Sequence, residues 1–139
     1  VSKPINMVVS TFGGSATEMF AVYDTMRLTK QICDISTIGM GKVMSAGVLL
    51  LAAGTKGRRK IGKNCRVMIH GVAGGFGGNL TTMENEIEEI KWIQQQYINC
   101  LAEETNLTAS KLKKMIRRQV DVYLSAEEAV KFGIADEIV

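Results

Sequence analysis

Apolar and polar residues change period several times along this chain, and each change marks an element. Pro4 to Ser10 (PINMVVS) is a mostly apolar run of strand length ahead of Gly13-Gly14, which predicts a buried strand. Ser15 and Glu18 have capping-box spacing, and Met19, Phe20, Val22, Tyr23 and Met26 follow at helical intervals, so residues 16–30 should form an amphipathic helix. Asp34 to Gly41 (DISTIGMG) is a second short β-rich run. Beyond Ser45-Ala46-Gly47 comes VLLLAA, apolar on every side, the mark of a buried helix. Arg66 to His70 (RVMIH) is a third strand. From Thr82 a long helix carries Met83, Ile87, Ile90, Tyr97 and Leu101 as one stripe, and Glu84, Glu86, Glu88 and Glu89 suit the positive end of its dipole. Thr108 should cap a short basic helix through Arg117. The last stretch, DVYLSAEEAVKFGIADEIV, gives a strand, a helix capped by Ser125 with Glu128, a stop at Gly133 and a final short strand.

This alternation predicts an α/β fold with a parallel sheet and helices on its faces. At 139 residues the chain should be one domain, spanning 1–139. A net charge of +3 is too small to suggest a nucleic-acid surface. The densest basic cluster, Thr55 to Lys63, has no interleaved aromatics and is expected to be a solvated turn between two buried elements. Cys33, Cys65 and Cys100 are scattered and odd in number, and one histidine cannot complete a usual zinc set. No metal site is expected, and the thiols should be free and buried in a reducing, cytoplasmic compartment. The longest apolar run is too short and too glycine-punctuated to span a bilayer, so no membrane contact is expected. The chain opens almost directly into a strand, which suggests that upstream sequence belongs before it.

Three strand-to-helix turns could carry chemistry. Ser45 stands just before a buried helix, whose first amides are unpaired and could hold an oxyanion; its bland alternative is a helix N-cap. Gly13-Gly14 would let another backbone approach closely. His70, the only histidine, ends the third strand and could equally be a core residue. The glycines after it, Gly71, Gly74, Gly75, Gly77 and Gly78, do not give the spacing of a dinucleotide or phosphate loop. Ser45, His70 and Asp121 together supply the three parts of an acyl-transfer triad, although spacing along the chain leaves open whether they meet.

Four blocks make the pattern specific: GG-x(8)-YDTM, STIGMGKVMSAGVLLLAAGTKGRR, N-x-RVMIHG-x-x-GG-x-x-G and DVYLSAEEAVKFGIADEIV. In order and spacing, from Pro4 to the C-terminus, they resemble the Clp protease proteolytic subunit. That resemblance implies a ClpP/crotonase-like fold of repeated strand-strand-helix units with a protruding handle helix, here the acidic helix from Thr82. It implies a serine endopeptidase that cuts unfolded polypeptides through an acyl-enzyme. Ser45 would be the nucleophile, His70 the base and Asp121 the acid, with the amides of Gly14 and Ala46 as the oxyanion hole. Substrate would lie as an added strand between Gly14, Ser15, Ala16 and Val72, Ala73, Gly74. The family subunit needs no cofactor of its own. It works as a homo-oligomer of heptameric rings, often two stacked as a tetradecamer, fed by an AAA+ unfoldase that uses ATP.

Several positions depart from the family pattern. Phe12 replaces a proline, Gly-Lys-Val-Met precedes Ser45 in place of Gly-Gln-Ala-Ala, and Gly71-Val72 replace glutamine-proline. Two residues are inserted around Gln31 and Ile32, and two around Asn106 to Ser110. Gln119 and Val120 stand where an acidic residue and an arginine usually pair between rings. The family's N-terminal segment precedes the part matched here. Alternative readings are a catalytically weak structural ring subunit, a crotonase-type enzyme acting on acyl-coenzyme A, and a phage capsid-maturation protease of related fold, which would place it in a virus-infected cell.

Overall fold

The computed structural model describes residues 3–75, 77–118 and 121–139. Its elements run β1 (Ile5–Thr11), α1 (Ala16–Thr29), β2 (Ile35–Met44), α2 (Ala46–Ala52), β3 (Arg59–Ile61), β4 (Arg66–Ile69), α3 (Leu80–Glu104), α4 (Ala109–Arg117), β5 (Val122–Leu124), α5 (Ala126–Lys131) and β6 (Glu137–Ile138). The expected α/β architecture is present.

β2 organises the sheet. β1 pairs with it in parallel along one edge, while β3 and then β4 succeed each other in parallel along the other. The switch falls at Gly41, whose φ of 70° lets the strand re-aim between its two partners. For that reason β2 continues to Met44, past the expected end at Gly41. β6 joins β3 in parallel, but β5 pairs antiparallel with β4, a correction to the all-parallel expectation. Two helices, α3 and α4, lie between those strands, and a double helical passage returns the chain to the end it left.

Apolar side chains of β2, β4, α2 and the second half of α3 meet in the core, with Val43, Leu49, Leu51, Val67, Ile69 and Leu101 fully buried. α3 starts at Leu80, where Asn79 caps it by accepting from the Thr82 amide at 2.9 Å. Tyr97 and Leu101 of its stripe are buried as expected, whereas Met83 and Ile87 are 37% and 42% exposed. Ser15 accepts from the Glu18 amide at 3.4 Å, and the full reciprocal capping box forms only at Ser125 and Glu128. Of the thiols, Cys65 is buried, while Cys33 and Cys100 are half-buried, which corrects the expectation of three buried ones; all three are free.

The basic cluster is a further correction. It contains β3, and Arg59 is 4% exposed rather than solvated. Its guanidinium donates to Asp136 through Nε and Nη2 (2.9 and 2.7 Å) and through Nη1 to the carbonyls of Ala52 and Glu104 (3.0 and 2.8 Å). A buried cation is tolerable because each of the three guanidinium nitrogens has a partner.

Arg59→Met should therefore destabilise the fold by about 3 kcal/mol, since it removes the donor of two helix-end carbonyls and leaves Asp136 with backbone amides alone. Hydrogen bonds from Arg59 hold the Asp136 carboxyl below its ordinary range. A depressed folded-state value contributes stability above the ordinary carboxylate range, lost as pH falls below about 4. Urea titrations across that range should show this acid-linked loss shrinking in Arg59→Met.

Candidate active site

Ser45 alone makes the turn between β2 and α2. Its φ of 55° and ψ of −115° make it the one non-glycine residue with positive φ among those described. Both ends are pinned: its amide donates to Met68 of β4 at 2.8 Å, and its carbonyl accepts from Tyr97 Oη of α3 at 2.8 Å. Ser45 occupies the N-cap position of α2, but its side chain makes no capping hydrogen bond. Such a backbone costs about 1–3 kcal/mol and projects the side chain away from the helix it precedes. Gly13 presses against the turn from β1's end. A Cβ there would lie 2.8 Å from Ser45 Cβ, at a φ of 108° that disfavours any side chain.

Ser45 opens into a cavity of about 490 Å³. His70, immediately after β4, lines the same cavity, so two of the three predicted reactive residues share one space. Gly14, Ser15 and Ala16 form one wall and Val72 with Ala73 another, over an apolar floor of Met19, Ile90, Ile93 and Tyr97. Gly74 is absent from this lining. It packs instead on Ile90 of α3, so close that a Cβ would collide with the Ile90 side chain. Neither the Gly14 nor the Ala46 amide donates to a turn, loop or side-chain acceptor among the described residues.

A family model described as Clp protease matches residues 1–139, the full chain. The chain belongs to the Clp protease family. Membership makes it a peptidase by family, and the sheet flanked by helices is consistent with the Clp protease fold.

Within that Clp protease frame the third predicted residue stands apart. Asp121 is exposed and lines an adjoining cleft of about 450 Å³ that His70, Gln94 and Arg117 also line. No hydrogen bond links Ser45 to His70, or His70 to Asp121, among the described residues. The Gln119-Val120 departure lies outside the described residues.

Two contributors escaped the sequence reading, and a third was legible only as a departure from the family pattern. Tyr97 was legible only as part of an apolar stripe, yet its hydroxyl holds the Ser45 carbonyl. Burial pushes its phenol well above the ordinary range, so the group stays a donor. Gln94 accepts from the Val72 amide at 3.1 Å. Phe12, which replaces the family proline, stands 72% exposed at the cavity, with Lys42 Nζ 4.6 Å from its ring centre. Lys42 is itself a departure, so two changes thirty residues apart meet at one lip.

Gly13→Ala should displace the serine turn. We expect at least a tenfold fall in the reactivity of Ser45 toward a fluorophosphonate, or loss of about 1–3 kcal/mol of stability where the fold yields instead. Labelling rates and thermal melts on the same preparation separate the two.

Proposed function

We propose that this Clp protease family member is a serine endopeptidase that hydrolyses unfolded polypeptides. The observation that carries the reading is Ser45: a non-glycine residue held at positive φ, its hydroxyl free of capping, in one cavity with the only histidine.

The chemistry follows from those positions. His70 takes the proton of Ser45 Oγ as the oxygen attacks the scissile carbonyl, and the Gly14 and Ala46 amides receive the developing oxyanion. Ala46 is the first residue of α2, where a helix leaves its amides unpaired. Collapse of the tetrahedral intermediate sends the proton from His70 to the leaving amine, and an acyl-enzyme remains on Ser45. Water, deprotonated by His70, then releases the acid and restores the serine. Asp121 stabilises the imidazolium from the far side. Substrate runs between the Gly14–Ala16 wall and the Val72–Gly74 segment. Because Gln94 already occupies the Val72 amide, Ala73 offers the open backbone donor on that wall.

Assembly belongs to the proposal. Leu80, Met83, Ile87 and Trp92 are exposed on the first half of α3, as a handle that packs against a second ring would be. We place the subunit in a homo-oligomeric barrel served by an AAA+ unfoldase, with ATP used by that partner. The three free thiols suit a cytoplasmic or similarly reducing compartment, and no described helix is long and apolar enough to cross a membrane.

A second reading, a ring subunit of weak activity, draws on the exposed and unbonded Asp121. Labelling decides between them: the native oligomer should react with a fluorophosphonate at Ser45, and Ser45→Ala should abolish it. His70→Ala should lower peptide cleavage at least about a thousandfold while the ring assembles normally by native mass spectrometry. Absence of Ser45-dependent labelling in the wild type sinks the peptidase reading, and loss of assembly in His70→Ala returns His70 to a packing role.

A further inference from the structure

We propose that Gln94 and Tyr97, one turn apart on α3, are positioning residues that together fix the separation between the Ser45 hydroxyl and the His70 imidazole. The inference rests on the peptidase reading above. Residues at this spacing share a helix face, so the two side chains act from one rigid edge. Tyr97 holds the carbonyl of the nucleophile itself at 2.8 Å, and Gln94 holds the amide two residues beyond the base at 3.1 Å.

The base side needs such a hold. β4 ends at Ile69, and between Gly71 and Gly75 the Gln94 bond is the single turn, loop or side-chain hydrogen bond among the described residues. Contact from two helices reinforces it. A Cβ on Gly71 would sit 3.0 Å from both Gln94 Oε1 and Ile116 Cγ2, so α3 and α4 grip the backbone directly after His70. The imidazole carries no hydrogen bond to Ser45 or Asp121, which leaves its aim to this backbone. The sequence offers no other anchor there, because the family's glutamine-proline pair is replaced by Gly71-Val72 and the stiffness of a proline is gone. One helix thus measures the gap between nucleophile and base, and a shift of either bond changes it.

The test uses the assembled native protein, with fluorophosphonate labelling rates and the kcat and KM of an unstructured fluorogenic peptide. Gln94→Met keeps side-chain length and removes the acceptor. It should lower kcat and labelling rate together by about tenfold, with KM within about twofold, since one hydrogen bond governs geometry rather than affinity. Melting temperature and ring size should stay at wild-type values. Gln94→Glu keeps an acceptor oxygen and should recover most of the rate. Tyr97→Phe should show the same kcat-weighted loss, and the double variant should lose less than the product of the two. If Gln94→Met fails to fold, Gln94→Asn, too short to reach the Val72 amide, replaces it with the same expected loss. A methionine variant at wild-type rate, a loss wholly in KM, or a glutamate variant no better than methionine overturns the proposal. A wild type that neither labels nor cleaves overturns the peptidase reading and this inference with it; an active wild type matched by Gln94→Met overturns the inference alone.

Discussion

The guanidinium of Arg59 ties together the elements on which the site stands. It bonds the carbonyls that end α2 and α3 and the carboxylate that leads into β6, and its own backbone belongs to β3. Cations at helix C-termini offset the partial negative charge there, and here one cation serves two helices. Glu104, whose carbonyl it holds, accepts in turn from the Tyr23 hydroxyl of α1 at 3.0 Å. The far ends of α2 and α3 are thereby fixed relative to each other. Their near parts carry Ser45 at the start of one and Gln94 with Tyr97 along the other. The ion pair at the C-terminal ends of α2 and α3 thus ties together the two helices that carry those residues.

Much of this was legible in the residues. α1, β4 and α5 follow directly from period and capping chemistry, because each buries one face against the core and has a polar stop, whereas β1, expected as a buried strand, pairs only with β2 among the described strands and leaves Ile5 and Val8 45% and 68% exposed. The serine and histidine were legible as residues at strand ends, and the family blocks gave them roles. What the sequence hid has a physical cause in each case. Glycine usually punctuates a strand, whereas the positive φ at Gly41 changes the pairing partner in mid-strand without ending it. Arg59 is one of five basic residues between Thr55 and Lys63, and composition cannot distinguish the one cation whose partner lies seventy-seven positions away. Tyr97 and Gln94 were hidden because helical periodicity reports burial, not which polar atom a side chain turns toward.

The stripe on α3 shows the same limit from the other direction. Spacing marks Met83 and Ile87 as core-facing, yet they stand 37% and 42% exposed. An apolar stripe specifies that something covers it, without saying whether the cover belongs to the same chain. Likewise the double passage through α3 and α4, which turns β5 antiparallel, depends on how two helices fold back rather than on any residue in the strand.

The backbone at Ser45 has a consequence for how such chains change over time. A serine at φ 55° is disfavoured where a glycine would be relaxed. Were the hydroxyl idle, drift at this position would run downhill toward glycine, with a gain in stability and no loss to the turn. The strained serine therefore serves as an internal record. Under the proposed chemistry, a change of this one residue to glycine would mark a chain whose oxygen is no longer in use, however well the rest of the cavity is kept.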